Sequence, residues 1–268
     1  MSDVTERIEM LNSFYDGVGE ENRLLRSRRG QLEYVTTMHY IRKMTPEHAR
    51  IIEIGAGTGR YSAALAKEGY DVTAVELAER NYELLAQKAQ GVENLHAFRG
   101  DALHLEQFAD GAFDVTLLFG PLYHLYEAED QMTAIREAIR VTKPGGVILA
   151  AFLSVHAILY NNYLQGNLKA GLEENFTPDY HVRHFTEQLF TGFNVDEFEA
   201  LFRDFPVERI TIASANGILE LAEGRADFAM SDEEFRLFAD YHLHYCERRE
   251  MLGCSSHLLY ICRKRDIG

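Results

Sequence analysis

Between Arg50 and Ser154, short apolar runs alternate with stretches whose apolar positions recur every three or four residues. Buried parallel strands joined by crossover helices produce that alternation, so the segment predicts a sheet built from βαβ units. Five strands are expected, at Ile51 to Ile54, Asp71 to Glu76, Leu95 to Arg99, Phe113 to Phe119 and Gly146 to Leu153. Between the first two, Tyr61, Ala64, Leu65 and Glu68 fall at helical spacing, and Gly69 follows where a left-handed cap is wanted. A second helix, Ala78 to Gln90, stops at Gly91 in the same way. The helix before the fifth strand ends at Lys143-Pro144-Gly145-Gly146, because proline cannot continue it. Farther on, strands are expected at Val207 to Ala213 and His257 to Arg263, separated by a helix over roughly Asp232 to Met251.

Three aromatic-rich segments lie outside this alternation: the first fifty residues, about His156 to Phe193, and about Leu219 to Cys254. Their content suits covers over a binding site. A single domain over 1–268 is expected, with a helical N-terminal cover (1–49), a binding core (50–154), a lid insertion (155–194) and C-terminal strands carrying a helical insertion (195–268). Within the lid, Ile158, Leu159, Tyr163 and Leu164 form a broad amphipathic pattern with Tyr160 between them. Lids often complete a site, so Tyr160 and Tyr163, with the region Phe185 to Phe193, are assigned to a substrate pocket.

The composition, 46% hydrophobic and 26% charged, is that of an ordinary globular protein. The longest apolar runs, such as Val147 to Val155, are about half of the roughly 20 residues that span a bilayer, so no membrane segment is expected. The start, Met1-Ser2-Asp3-Val4-Thr5-Glu6, lacks a basic segment leading into an apolar one, and the expected compartment is the cytoplasm. Cys246, Cys254 and Cys262 contain no C-x-x-C pair and read as reduced packing residues. A formal charge of −15 repels a phosphate backbone, so no nucleic-acid partner is expected; monomer and homodimer both stay open.

The informative segment is Ile51-Ile52-Glu53-Ile54-Gly55-Ala56-Gly57-Thr58-Gly59-Arg60, a buried strand running into glycines and then a helix. Missing side chains let the chain turn sharply and let a ligand approach the main chain, at the strand end where open α/β sheets bind ligands. A dinucleotide fingerprint, G-x-G-x-x-G or G-x-G-x-x-A, fits neither register, because Arg60 or Ser62 takes the third position. No Lys-Ser or Lys-Thr follows, so the phosphate loop of nucleotide hydrolases is excluded as well. Glu76 and Asp101 fall at the ends of the next two strands and face the same crevice. A carboxylate at Glu76 suits two ribose hydroxyls and repels a 2′-phosphate, which points to a nucleoside.

Glu53-Ile54-Gly55-Ala56-Gly57-Thr58-Gly59 resembles the first motif of class I S-adenosylmethionine-dependent methyltransferases. Gly111-Ala112-Phe113-Asp114-Val115 through Phe119-Gly120-Pro121-Leu122-Tyr123-His124-Leu125 resembles the fourth-strand motif of their small-molecule branch, which includes quinone-biosynthesis methyltransferases. Arg140-Val141-Thr142-Lys143-Pro144-Gly145-Gly146 resembles the turn before that family's fifth strand. The resemblance covers Arg50 to Ser154. It implies a Rossmann-like, doubly wound α/β fold with a mostly parallel seven-stranded sheet and an antiparallel last strand. It also implies S-adenosylmethionine as cofactor, S-adenosylhomocysteine as product and a small-molecule acceptor. By the same resemblance the backbone near Gly55 and Gly57 holds the methionine part, Glu76 the ribose, and Asp101 with the Ala102 N–H the adenine. Glu53, Ala56, Gly59, Leu77 and Phe119 complete the cofactor set, Tyr15 closes over it, and Arg28 or Arg29 lies near its carboxylate.

Methyl transfer from a sulfonium is an in-line displacement, so positioning and exclusion of water can supply most of the acceleration. Should the acceptor carry a proton to lose, His124 is the first candidate base; its alternative role is to wall the pocket. Tyr123 either orients an acceptor through its hydroxyl or packs its ring. His181 with His184, and His242, His244 and Cys246, invite a metal reading, but residues two apart on a helix diverge by about 200°, and no metal is expected. A noncatalytic S-adenosylmethionine sensor would carry the same cofactor motifs, whereas a nicotinamide oxidoreductase fails the glycine spacing.

Overall fold

The computed structural model describes residues 2–18, 20–164, 166–185 and 189–266. Two helices, α1 (Ser2–Val18) and α2 (Arg28–Met44), precede the sheet, and the alternating core then runs β1 (Arg50–Ile54), α3 (Arg60–Lys67), β2 (Asp71–Glu76), α4 (Glu79–Ala89), β3 (Leu95–Arg99) and β4 (Phe113–Leu118). It continues through α5 (Pro121–His124), α6 (Ala128–Val141) and β5 (Thr142–Leu153). The segment expected as a lid holds α7 (Val155–Tyr163) and α8 (Leu168–Asn175), followed by α9 (Val195–Ala200), β6 (Val207–Ser214), α10 (Leu219–Glu223), α11 (Asp232–Tyr245), α12 (Arg249–Leu252) and β7 (His257–Lys264).

The seven strands stand in the order β3-β2-β1-β4-β5-β7-β6. Strands β1 to β5 pair in parallel, and β7 inserts antiparallel between β5 and β6. The expected doubly wound, mostly parallel sheet with an antiparallel last strand is therefore the observed fold. Alternate side chains serve opposite faces. Ile52, Ile54, Ile148 and Phe152 pack under α6 and α9, through Ala134, Ile135 and Phe198, whereas Ile51, Val115, Leu117 and Leu149 pack under α2 and α3, through Met38, Ile41 and Leu65. No helix among the described residues is long and apolar enough to cross a membrane.

Two expected boundaries shift. The fifth strand starts at Thr142, not Gly146, because Thr142 pairs with Phe113 before the register jumps to Val115 opposite Val147. The proline-glycine turn is a bulge inside the strand, and the buried Thr142 hydroxyl, 2.6 Å from that of Thr116, fixes its start. The helix expected over Asp232 to Met251 breaks after Tyr245, because the Cys246 carbonyl accepts the Ser214 N–H at 2.9 Å and is drawn to the end of β6.

No described helix joins β3 to β4, and Arg140 of α6 holds that connection in place. Its guanidinium donates to the Leu105 and Phe108 carbonyls, each at 2.8 Å, and to Glu137 and Asp110 at 2.7 Å. Replacing Arg140 by Met keeps the apolar stem and takes the donor from the Phe108 carbonyl, while the Leu105 carbonyl keeps only the Phe108 N–H, so urea unfolding should show a loss of about 1–3 kcal/mol. An unchanged midpoint would mean that the loop is held by its apolar contacts alone.

Candidate active site

The chain winds outward through β2 and β3 from one side of β1 and returns as β4 on the other, which opens a crevice at the carboxyl ends of β1 and β4. Gly55 and Phe119 meet there. The Phe119 N–H donates to the Ile54 carbonyl at 3.0 Å, and a Cβ on Gly55 would stand 2.2 Å from the Phe119 oxygen. Gly57, in the left-handed region at φ +54°, differs: a Cβ there would meet nothing within 4 Å, since its open side faces the crevice. Glycine at the first position thus serves strand packing, and at the second it leaves a cradle that a side chain would fill.

Glu76 closes one end of the cradle. Its carboxylate accepts the Gly57 N–H at 2.7 Å and the Ala78 N–H at 2.8 Å, so the strand end and the glycine turn are tied through one side chain. Asp101 accepts the Leu103 N–H at 3.1 Å and receives Arg7 of α1 at 2.6 Å, with both side chains almost wholly buried. Leu77, Ala102, Ala56 and Phe119 line the same crevice. Glu53 lies beneath it, bonded to Ser62, and burial pushes its carboxyl up to about 8 despite that bond.

At the other end stand Tyr15 and His124. The His124 Nδ1 faces the Leu189 carbonyl at 2.7 Å, and because a carbonyl only accepts, Nδ1 carries the proton. Its Nε2 therefore accepts from the Tyr15 hydroxyl at 2.9 Å. Burial lowers the imidazole to about 4, offset in part by the Leu189 bond, so the ring is neutral at physiological pH. Tyr123 packs its ring against His124 and Phe190, with ring centres 5.0 and 6.2 Å apart.

Tyr15, Arg23 and Tyr123 line both the crevice and a second cavity of about 750 Å³ beneath the lid. Tyr163, Ile158, Phe185 and Phe190 wall that cavity; residues 186–188 of the expected pocket region lie outside the described residues. Arg23 stands between the two spaces and forms a bidentate pair with Glu33 at 2.9 Å. Burial opposes the Glu33 charge, yet Arg23 and His257 outweigh it and hold that carboxyl below its usual range.

Three expected residues stand elsewhere. Arg28, the first residue of α2 after the Ser27 cap, points to α11, where it donates to the Met230 carbonyl and Asp232 and covers the Phe235 ring; the arginines that line the crevice are Arg7, Arg23 and Arg60. Gly59 is turned down onto α4, where a Cβ would stand 2.5 Å from Leu85, and does not line the crevice. Tyr160 faces a neighbouring hollow with Arg26 and Arg29, on the far side of Asn161. Sequence reasoning missed Arg7, although Arg7, Leu11 and Tyr15 recur at intervals of four along α1 and share one face. Among the described residues no group of three His, Cys, Asp or Glu side chains converges; His242 donates to the Ser214 carbonyl at 2.9 Å and His184 meets Glu197 at 2.8 Å.

Residues 52–150 match the family model described as a methyltransferase domain. A demethylmenaquinone methyltransferase of Beutenbergia cavernae is 35% identical over 122 residues, covering 43% of this chain and 48% of that protein. The enzyme of the same name from Staphylococcus haemolyticus is 33% identical over 169 residues, covering 54% of this chain and 69% of its own length. Against the first of these relatives the chain thus spans about half of their length. Among solved structures, the 1,6-didemethyltoxoflavin-N1-methyltransferase of Burkholderia thailandensis, with 1,6-didemethyltoxoflavin and S-adenosylhomocysteine bound, superposes with a TM-score of 0.60 at 16% identity. That superposition covers 98% of this chain and 88% of the other, a likeness of fold.

The protonated Glu53 has a consequence for stability. Its folded carboxyl, near 8, holds a proton that the unfolded chain releases near its ordinary 4.5, so its contribution is complete below pH 4.5 and is lost as pH rises through 8. Wild-type protein should lose stability over that window relative to Glu53→Gln, by up to about 1 kcal/mol per pH unit in urea titrations. Parallel profiles for the two proteins would show that Glu53 is ionised in the fold.

Proposed function

The chain belongs to the S-adenosylmethionine-dependent methyltransferases, and from that premise we propose that it transfers a methyl group to a small-molecule acceptor held beneath the lid. The observation that carries this reading is the junction of two spaces at Tyr15, Arg23 and Tyr123: a glycine-floored crevice ending in two carboxylates, and an aromatic-walled cavity. The cradle at Gly57 and the fixed carboxylate of Glu76 fit an unphosphorylated nucleoside. Glu76 would hold the ribose, Asp101 and the Ala102 N–H the adenine, and Arg23 the carboxylate end. When bound, S-adenosylmethionine supplies a methyl carbon already activated on a sulfonium.

The remaining work is positional. Leu11 and Tyr15 cover the crevice from α1, while the lid aromatics exclude water from the cavity. His124 holds the Tyr15 hydroxyl from behind at the junction. For an acceptor with a proton to lose, the Tyr15 oxygen can take it as its own proton passes to His124 Nε2. An imidazole held near 4 is a weak base against a phenol, whose ordinary value is about 10, so orientation is the larger role of this pair.

Two measurements test the reading. Glu76→Ala removes a charged acceptor worth about 1.5–3 kcal/mol per bond, so calorimetry should show S-adenosylmethionine binding weakened at least tenfold. Unchanged affinity would contradict the placement. Tyr15→Phe should leave that affinity within a few fold and lower acceptor-dependent release of S-adenosylhomocysteine by about 10- to 100-fold in kcat/KM. Cofactor binding without release in the presence of any acceptor class would instead make the chain a sensor.

A further inference from the structure

The charges on the wall of the second cavity do not balance. Arg23, Glu174 and Glu220 line it, with His257 beside them. Arg23 is spent on Glu33, which engages both of its terminal nitrogens at 2.9 Å and also stands 3.7 Å from His257. Glu220 accepts the Asn216 NH2 at 3.3 Å and shares the Arg29 guanidinium with Glu223, at 3.3 and 3.8 Å, while Arg29 lines the neighbouring hollow together with Arg26. Glu174 meets no cation among the described residues and is bonded by the Tyr163 hydroxyl at 2.5 Å. Arg183 does not line the cavity; its guanidinium donates to the Glu173 carbonyl at 2.7 Å and stands over the Phe185 ring at 5.7 Å. The wall therefore carries negative charge that its own cations leave unmatched.

Next to Glu174, Asn175 adds a buried acceptor. This residue is only 5% exposed, and its Nδ2 donates to the Gly171 carbonyl at 2.8 Å, which fixes the amide because a carbonyl only accepts. The opposite atom, Oδ1, accepts from no described group, although Asn175 lines the cavity. A buried oxygen without a donor is costly, and a ligand that brings an N–H relieves the cost. Tyr163 joins the two residues: its ring rests on Gly171, where a Cβ would stand 2.3 Å from the ring, and its hydroxyl meets both Glu174 and Asn175. The remaining walls include the rings of Phe14, Tyr123, Phe185 and Phe190, whose π faces attract cations.

We propose that the second cavity selects acceptors in which an ammonium group is joined to a flat ring, with Glu174 and Asn175 Oδ1 as the recognition pair and Glu220 adding charge to the same wall. An ammonium has three N–H donors and no acceptor, so it satisfies the carboxylate and the amide oxygen at once through charge-assisted bonds. A carboxylate in the same place would be repelled. The ammonium is a handle and not the methylated atom, because a protonated nitrogen has no lone pair with which to attack. At a ring hydroxyl the new C–O bond forms as the C–S bond breaks, the C–S electron pair stays on sulfur, and the hydroxyl proton leaves through Tyr15 to His124 Nε2. This inference rests on the cavity being the acceptor site of the proposed methyltransferase.

The test uses 3,4-dihydroxyphenethylamine, 4-ethylcatechol and 3,4-dihydroxyphenylacetate, which share a ring and differ in carrying a cationic, neutral or anionic side chain. Calorimetry on the full-length protein with S-adenosylhomocysteine present should rank them in that order, the ammonium compound binding about tenfold more tightly than the neutral one. Glu174→Gln should cut that ratio by about threefold or more, and Glu174→Lys should invert the order so that the phenylacetate binds best. Asn175→Leu, which deletes the buried acceptor, should lower the ratio as well. Melting temperatures identify a variant that fails to fold, and the Glu174 variants, at an exposed residue, carry the test should Asn175→Leu unfold. Equal affinities for the ammonium and neutral compounds, tightest binding of the phenylacetate to wild type, no binding of any of them, or a ratio unmoved by both Glu174 variants would overturn the proposal. S-adenosylhomocysteine affinity, measured first on the same wild-type sample, separates the two readings: its absence counts against the methyltransferase, whereas intact binding without the ammonium preference overturns only the selection by Glu174 and Asn175.

Discussion

The close approach of β1 and β4 at their carboxyl ends governs the rest of the structure. A Cβ on Gly55 would lie 2.2 Å from the Phe119 oxygen, well inside contact distance, so the two strands can diverge as they do only with glycine there. Their divergence opens the crevice, and the following turn then points the Gly57 N–H at Glu76. The carboxylate that would grip a ribose is thus already held by backbone donors from the turn and from the start of α4. Binding a hydroxyl at that carboxylate requires no reorganisation of the strand end, which is the condition under which a polar contact contributes most.

Helix α1 joins the two ends of the site. Arg7 pairs with Asp101 at the base end, and two turns later Tyr15 bonds His124 at the junction with the lid cavity. A nearly buried ion pair is expensive to desolvate and adds little stability by itself. Its geometric effect is larger, because a helix anchored at Arg7 presents Tyr15 at a fixed point about 12 Å along its axis, at 1.5 Å per residue. Occupancy of the base end and order at the reacting end are mechanically linked through one rigid element.

The sheet and most of the residues that line the crevice were legible because their signals are local. Short apolar runs and period-3.6 patterns marked the strands and helices of the core, and glycine and proline marked their ends. The failures have a common cause: tertiary contacts that no spacing announces. The helix over Asp232 to Tyr245 stops where a carbonyl is claimed by β6, although no glycine or proline stands there. Arg23 and Arg28 lie five residues apart, on either side of the Ser27 cap of α2, and Arg23 lines the crevice while Arg28 turns to α11. Tyr160 and Tyr163 sit three apart on α7, yet Asn161 and Asn162 separate the spaces they face.

The two halves of the site differ in what holds them. Groups that line the crevice come largely from strand ends and the first turns of helices, parts of the chain whose backbone is fixed by the sheet. The aromatics of the second cavity come mainly from α1 and the segment after β5, whose positions depend on side-chain packing and on the Tyr15 to His124 and His124 to Leu189 bonds. Orientation is what an in-line displacement demands most, because the attacking atom must reach the methyl carbon from the side opposite the leaving sulfur.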